Sequence, residues 1–174
     1  MSVEYDVATL LREPVGSTRE YDVDDEMAVM GDEALCRVAG HATFLRTEAG
    51  LLVTAHLRGS QPDACSRCLQ DIDVPVTVDF EEEFFPTVDA NTGFTLPPPA
   101  DPDSFRIDAH QVLELDDAVR QTWAGAMPMQ PLCRPECRGL CPRCGRDLNQ
   151  GACSCKPEED PRWSVLQQLV QERK

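Results

Sequence analysis

Residues 72–85, IDVPVTVDFEEEFF, decide the fold class of this chain. Apolar residues occupy every second position from Ile72 to Phe80, and polar residues or proline occupy the positions between them. This two-residue period is typical of a β-strand that buries one face. Pro75 lies on the polar side of the pattern, which predicts a place at the edge of a sheet, where a missing N–H is tolerated.

Further strand patterns lie upstream of this segment. The sequence predicts strands over residues 35–46 and 51–58, joined by a turn at residues 48–50, and shorter strands at residues 2–7 and 19–23. The stretch Cys65–Ser66–Arg67–Cys68 follows the second of the longer strands and precedes residues 72–85. Residues 1–85 are therefore predicted to form a mostly β body with a C-x-x-C turn, or knuckle, near its end.

Downstream, proline separates the β body from the rest of the chain. Residues 86–104 hold five of the 14 prolines, which predicts a loop. Residues 105–130 predict a short strand at 105–107 and an amphipathic helix that has Asp116 or Asp117 as its N-cap, runs to about Met127, buries Trp123 and stops before Pro128. Residues 131–174 predict a cysteine-rich ribbon and a C-terminal helix with Asp160 as its N-cap.

These predictions combine into one fold class. We expect an α+β protein with a mainly antiparallel β-sheet or partial barrel, two short helices and a C-terminal four-cysteine zinc ribbon. A chain of 174 residues has the usual length of one compact unit with appendages.

Six of the nine cysteines lie in LCRPECRGLCPRCGRDLNQGACSC, residues 132–155. Two thiolates three residues apart can face one ion, and the backbone amides after the first cysteine can donate to its sulfur. The spacing predicts a local zinc site and a second, long-range site that joins the β body to the tail, so that one or two structural zinc ions are expected. The predicted ligands are Cys141, Cys144, Cys153 and Cys155 for the local site, and Cys65, Cys68, Cys133 and Cys137 for the long-range one.

The other candidate residues point to no catalytic site. Cys65 and Cys68 alone would also fit a dithiol redox centre, but such a pair normally opens a helix and here lies between strands. Cys36 is expected to be a small buried residue, and the three histidines lie outside the cysteine cluster. No glycine-rich phosphate loop or nucleophile elbow occurs, and a four-cysteine zinc site has no open position for water. We therefore expect a protein that is not an enzyme.

The charge distribution favours a basic partner. The chain carries 16 basic and 31 acidic residues, a net charge of −15, and the excess of acid lies in residues 1–130. This excludes broad, non-specific binding of phosphate backbone. The run Asp79, Glu81, Glu82 and Glu83 fits a solvated strand end or a docking surface for basic protein. The chain shows neither a basic leader nor an apolar run long enough to span a membrane, so we expect a cytoplasmic protein with reduced thiols.

Several of these features occur together in one known family. Cys-x-x-Cys-Leu is followed by an alternating strand into Glu-Glu-Phe, a helix that ends in proline, P-L-C-x-x-x-C-x-G-L-C-P-x-C-G-x-x-L-N-x-x-x-C-x-C, and D-P-R-W. Over about residues 60–172 this pattern resembles the YceD family of bacterial large-ribosomal-RNA accumulation proteins. The resemblance implies a cytosolic, non-enzymatic factor for accumulation of large-subunit ribosomal RNA. It also suggests a small basic protein of the large ribosomal subunit as the partner.

The leading hypothesis is thus a ribosome biogenesis factor that uses an acidic, zinc-stabilised body to bind a basic ribosomal protein. An alternative is direct RNA binding through arginines on the ribbon, namely Arg134, Arg138, Arg143 and Arg146, because arginine suits bidentate contact with phosphate. The second alternative is the dithiol oxidoreductase that would use Cys65 and Cys68.

Overall fold

The computed structural model describes residues 3–29 and 35–155. In this part of the chain the elements follow the order β1, α1, β2, β3, β4, β5, β6, β7, α2. Their bounds are β1 Glu4–Asp6, α1 Ala8–Arg12, β2 Thr18–Ala28, β3 Leu35–Arg46, β4 Leu51–Ala64, β5 Asp71–Pro86, β6 Phe105–Ile107, β7 Val112–Glu114 and α2 Asp116–Ala126. The predicted fold class, α+β with a mostly antiparallel sheet, is confirmed.

Four long strands form an antiparallel meander. Strands β2, β3, β4 and β5 are neighbours in the order of the sequence, and β6 adds to β5 in parallel through residues 84–86. The tight turn between β3 and β4 lies where residues 48–50 predict it, and its carbonyls at Thr47 and Gly50 accept hydrogen bonds from the Arg46 guanidinium. A second, two-stranded sheet pairs β1 with β7.

The five-stranded sheet has one buried and one open face. Along β5 the even-numbered residues from Val74 to Phe80 are buried, and the odd-numbered residues between Asp71 and Glu81 are exposed. The buried face packs against both helices in a single apolar cluster that includes Phe44, Leu57 and Trp123. We call the other side, formed by the outward residues of β2 to β5, the open face.

Most strand predictions agree with the structure, and the differences have physical causes. β3 and β6 have the predicted bounds, but β4 extends to Ala64 because it pairs with β5 along its whole length. The short helix α1 and strand β7 were not expected, because five residues are too few to show a helical period and β7 forms by pairing with the distant β1. The predicted C-terminal helix lies outside the described residues.

The start of α2 differs from the sequence prediction. Its N-cap is Leu115, which makes no side-chain capping hydrogen bond. Asp116 does not cap the helix; instead its Oδ1 accepts a hydrogen bond from the backbone N–H of Val3, so it ties the N-terminal segment to α2. Trp123 is fully buried, as predicted. In the described residues, no helix is both long and apolar enough to cross a membrane.

Gly59 in β4 should be intolerant of a side chain. A Cβ at this position would lie 2.8 Å from Cη2 of Trp123 and still closer to the carbonyl oxygen of Arg37. We therefore expect Gly59→Ala to lower the free energy of unfolding by about 2 kcal/mol, the usual cost of overpacking a core. Urea denaturation of the variant measures this change in the free energy of unfolding.

Gly125 provides a matched control for this substitution. It lies in α2, and a Cβ added there would have no other atom within 4 Å. Gly125→Ala should raise the free energy of unfolding by about 0.5–1 kcal/mol, because alanine is the better helix former. Equal effects of the two substitutions would contradict the packing assigned to Trp123.

Candidate metal centres

Two groups of four cysteines come together in the fold, and they are the groups that the spacing predicts. Within each group the four sulfur atoms lie within 4.8 Å of one another. One group joins the knuckle between β4 and β5 to the segment after α2, and we call it the clasp. The other lies wholly within the tail, and we call it the ribbon site. The clasp contains Cys65, Cys68, Cys133 and Cys137, and the ribbon site contains Cys141, Cys144, Cys153 and Cys155.

The sulfur separations fit a tetrahedral metal ion. A zinc–sulfur distance of about 2.3 Å corresponds to a tetrahedron with edges of about 3.8 Å. In the clasp, the Sγ atoms of Cys65 and Cys137 are 3.8 Å apart, and those of Cys68 and Cys133 are 3.7 Å apart. In the ribbon site, Cys141 and Cys153 are separated by 3.4 Å. Each cluster could therefore hold one metal ion with small movements of its side chains.

Both C-x-x-C elements fold into the same turn. In the clasp, the N–H of Cys65 donates to the carbonyl of Gln70, and the N–H of Leu69 donates to the carbonyl of Cys65. In the ribbon site, Cys141 makes the same two bonds, one to Arg146 and one from Gly145. This turn directs backbone N–H groups at the first sulfur of each pair. The equivalence indicates two copies of one knuckle.

The residue after each knuckle has a left-handed backbone. Leu69 has φ of 59° and Gly145 has φ of 70°. Glycine adopts this conformation without cost, whereas a side chain disfavours it. Leu69 nevertheless takes it with a side chain that is 66% exposed. The turn of the clasp is thus held by its surroundings against the local preference of its sequence.

Backbone N–H groups stabilise a thiolate in each cluster: they come from the tail and the knuckle in the clasp, and from the knuckle in the ribbon site. Hydrogen bonds from the backbone of Cys133 and Cys68 lower the pKa of Cys65 to about 6. Hydrogen bonds from the backbone of Cys144 and Arg143 lower the pKa of Cys141 to about 6. One sulfur in each cluster is consequently a thiolate, the form that binds metal, at neutral pH.

Another thiol in each cluster holds its proton more tightly. Burial, followed by hydrogen bonding within the clasp, raises the pKa of Cys133 to about 12. Hydrogen bonding with Cys144, followed by burial, raises the pKa of Cys155 to about 12. Without metal, these protonated thiols form hydrogen bonds with the other sulfurs of their cluster. A metal ion would have to displace their protons.

Asn149 connects the two clusters. It lies in the loop of the ribbon site, between Cys144 and Cys153, but its Nδ2 donates to the sulfur of Cys137 in the clasp at 3.4 Å. This bond is the largest cause that lowers the pKa of Cys137. The Oδ1 atom of Asn149 accepts a hydrogen bond from the N–H of Arg138 at 2.9 Å. Asn149 therefore fixes the chain between the two sites.

Arg67 also joins the knuckle to the tail. Its carbonyl accepts a hydrogen bond from the N–H of Leu140, and its Nη1 donates to the carbonyl of Cys137 at 2.8 Å. The N–H of Ser66 also donates to the carbonyl of Pro131. The clasp is thus supported by several contacts that do not involve sulfur.

Sequence reasoning missed the roles of Asn149, Arg67 and Leu69. The paired motifs C-S-R-C-L and C-P-R-C-G could have indicated equivalent turns with Leu69 at the glycine position. No local pattern could have assigned Asn149 to Cys137, since that contact depends on how the two clusters pack.

The remaining predicted residues are distributed as follows. The four candidate RNA-contacting arginines are all exposed and lie on the turns around the clusters: Arg134, Arg138, Arg143 and Arg146. Cys36 is buried and donates to Oε1 of Gln61, in line with its expected role as a small buried residue. Of the histidines, His41 and His56 lie side by side on the open face.

The close approach of the tail to the knuckle can be tested at Gly139. Its φ is 72°, and a Cβ there would lie 2.8 Å from the carbonyl oxygen of Arg67. Gly145 has nearly the same φ, 70°, but open space around its Cβ position. Both Gly→Ala changes should cost about 1 kcal/mol through the left-handed backbone. Gly139→Ala should cost at least a further 1 kcal/mol, about the penalty of overpacking.

Urea denaturation of the two variants measures this difference, and hydrogen exchange locates it. Exchange of the Leu140 amide, which donates to Arg67, should accelerate only in Gly139→Ala. Equal losses of stability and equal exchange rates would show that the tail does not press on the knuckle.

Comparison with known proteins gives related chains and one family. The uncharacterized proteins Rv2926c of Mycobacterium tuberculosis (strain H37Rv) and Mb2951c of Mycobacterium bovis are each 28% identical to this chain over 170 residues. The alignment covers 95% of this chain and 80% of each relative. No solved structure gives a significant match. The family model described as "Large ribosomal RNA subunit accumulation protein YceD" matches residues 53–170, which include both cysteine clusters, and the chain belongs to this family.

Proposed function

We propose that this protein supports accumulation of large-subunit ribosomal RNA by binding a basic protein of the large ribosomal subunit on its open face. Membership of the YceD family implies a role in ribosome biogenesis. The acidic open face is the observation that carries the finer proposal. The two cysteine clusters hold structural zinc in this proposal, and they stabilise the end of the sheet and the tail.

The open face is strongly acidic. Its outward positions on β2 and β5 carry nine carboxylates, whereas β3 and β4 contribute two arginines, Arg37 and Arg58. Arg37 is already paired with Asp24, at 2.7 Å. The nine carboxylates are Glu20, Asp22, Asp24, Glu26, Asp71, Asp73, Asp79, Glu81 and Glu83. Such a surface attracts a cationic partner and accelerates its association.

The two acidic strands flank a centre that has no outward carboxylate. In the register of the sheet, Glu20 is level with Thr43, Thr54 and Glu81. The open face therefore has acidic margins on both sides of a polar middle, a pattern suited to a basic protein that contacts both margins. Proteins that bind ribosomal RNA are basic because they neutralise phosphate. An acidic surface can bind such a protein and prevent its non-specific contacts with RNA until the protein is incorporated into the subunit.

The chemistry of the clusters supports structural zinc. Four thiolates complete a tetrahedral ion and leave no position for substrate or water, which favours a structural role over catalysis. Thiolate ligands select zinc over hard cations such as magnesium. In the clasp, zinc would tie residues that are 72 positions apart in the sequence. The ion would thereby fix the tail against the end of β4 and the start of β5.

Direct binding of RNA through the tail is the second candidate. Exposure of all four arginines on the turns around the clusters favours it. However, residues 131–174 have a net charge of only +2, and one zinc with four thiolates adds −2. Any contact with RNA would thus depend on individual guanidinium groups and not on a general positive field.

The geometry gives little support to the dithiol oxidoreductase. Cys65 is fully buried, whereas a redox thiolate must meet its substrate. Its knuckle lies between two strands and does not open a helix.

Charge reversal on the open face tests the main proposal. Glu20→Lys combined with Glu81→Lys should weaken binding of the basic partner about tenfold, because attraction at both margins becomes repulsion. Purified basic proteins of the large subunit are titrated into the labelled variant at low and high salt. Asp101→Lys combined with Asp103→Lys is the control, since it changes the net charge equally in the exposed loop between β5 and β6 and should leave affinity nearly unchanged.

The same titration separates the candidates. Equal effects of the two charge-reversed variants would contradict a role of the open face. Binding to ribosomal RNA alone, lost in Arg138→Glu combined with Arg143→Glu, would favour the second candidate. Absence of binding to any basic large-subunit protein would overturn the main proposal.

Metal analysis tests the zinc sites. We expect two zinc ions per chain, with loss of one ion in Cys65→Ser and loss of the other in Cys153→Ser. Cys36→Ser is the control and should keep both ions, because Cys36 lies outside the clusters. One zinc per chain, with unchanged content in Cys65→Ser, would eliminate the clasp as a metal site.

Zinc binding should also release protons and depend on pH. Cys133 and Cys155 keep their protons at pH 7 because their pKa values are raised to about 12. Coordination requires thiolates, so binding at pH 7 should release at least one proton per cluster, and affinity should fall as the pH is lowered. Calorimetry in buffers with different ionisation enthalpies measures this release.

A further inference from the structure

A groove lies between the first part of β5 and the segment that follows α2. Residues 72–75 form one wall and residues 128–135 form the other, and the groove encloses about 730 Å³. We call it the β5 groove. Its lining is mostly apolar and includes Ile72, Val74, Pro75, Pro128, Pro131 and Leu132. Because prolines have no N–H to offer a ligand, this surface suits apolar side chains.

The rim of the groove is acidic. Asp73 lines it directly, and a neighbouring hollow of about 370 Å³ shares Ile72 and Asp73 and adds Asp63 and Asp71. In the described part of the chain these three carboxylates form no ion pair with lysine or arginine. An apolar floor beside unpaired carboxylates is complementary to an apolar residue flanked by cations.

The outer edge of β5 determines how a bound chain would run along the groove. β4 pairs with β5 along residues 71–84, but on the other side β6 pairs only with residues 84–86. Among the described residues, no strand covers the outer edge of β5 from Asp71 to Glu83. An extended chain can therefore lie parallel to this edge and place alternate side chains on the apolar floor and at the acidic rim.

The walls of the groove are already fixed in the absence of a partner. Pro75, Pro128, Pro131 and Pro135 restrict the backbone, and the carbonyl of Pro131 accepts a hydrogen bond from Ser66. The clasp holds Cys133 beside the groove. A preformed site avoids the entropy cost of ordering loops when it binds.

We propose that the β5 groove binds an extended segment of the basic ribosomal protein, with an apolar side chain against Ile72 and Leu132. Lysine or arginine residues on either side of it contact Asp71 and Asp73. This inference rests on the proposed function and specifies which part of the partner this end of the protein recognises. The open face attracts the partner by charge, and the groove selects a sequence within it.

Two synthetic peptides test the groove on the full zinc-loaded chain. One is Arg-Lys-Arg-Leu-Val-Leu-Arg-Lys-Arg, and the other has Ser-Thr-Ser at its centre with the same charge. The apolar peptide should bind about tenfold more tightly, since it buries apolar side chains. NMR should place its amide shifts at residues 71–75 and 130–135, whereas the polar peptide should perturb the open face diffusely.

Variants of the groove provide the second measurement. The groove variants Leu132→Ser and Ile72→Ser should each remove most of the preference for the apolar peptide, because both side chains line the groove. Asp71→Asn combined with Asp73→Asn should instead weaken both peptides, since the two have the same charge. Leu96→Ser, in a cavity on another part of the surface, is the matched control and should retain the preference. Zinc content and circular dichroism establish that each variant is folded. If Leu132→Ser does not fold, Ile72→Ser and the peptide pair still decide the result.

Equal affinity for the two peptides, or a preference that survives in the groove variants, would overturn the inference. Failure of the proposed function gives a different result, namely no binding of any basic large-subunit protein. If those proteins bind and respond to charge reversal on the open face but not to the groove variants, the function stands and the groove inference falls.

Discussion

The alternation of β5 is the constraint on which the rest of the structure depends. Because successive side chains point to opposite faces, residues 73–81 of this strand divide into a buried apolar row and an outward row of polar residues and proline. The buried row gives the helices a surface to pack on, and the outward row supplies one acidic margin of the open face. Within the described residues, no strand covers the outer edge of this strand from Asp71 to Glu83, and its first residues form one wall of the β5 groove. A shift of register by one residue would bury Asp79 and expose Phe80, and all these features would be lost together.

Sequence reasoning recovered the features that have a short period or a fixed spacing. The bounds of β3 follow from its pattern, and the buried place of Trp123 follows from the stripe of α2. It was less successful where tertiary contacts decide. β4 continues to Ala64 because β5 is there to pair with it, and Asp116 leaves the capping position because the backbone of Val3 needs an acceptor. The helix α1 has five residues, which is less than two turns, and its existence depends on burial of Leu10 and Leu11 in the core.

The cysteine clusters likewise combine features that spacing predicts with features that depend on tertiary contacts. Spacing alone groups Cys141 with Cys144, since both belong to one turn, and elimination then groups the remaining pairs. The left-handed conformation of Leu69 follows only from a comparison of the two knuckle motifs, in which Leu69 matches Gly145. The bond from Asn149 to Cys137 was beyond the reach of spacing, because it depends on how the two clusters pack. A cluster of four sulfurs is therefore only part of each centre. The polar groups around the sulfurs determine which of them is ionised before any metal binds, as is usual for the surroundings of metal ligands.

The clasp also has a consequence for the order of folding during synthesis. Each strand of the meander pairs with the strand made just before it, and such local contacts form early and fast. The clasp instead requires Cys65 to wait for Cys137, made 72 residues later, so it closes only after the sheet and α2 have been synthesised. Until then the β5 groove lacks the wall that residues 128–135 form opposite the first residues of β5. Closure of the clasp is thus a late event, which separates nascent chains that have reached Cys137 from shorter ones.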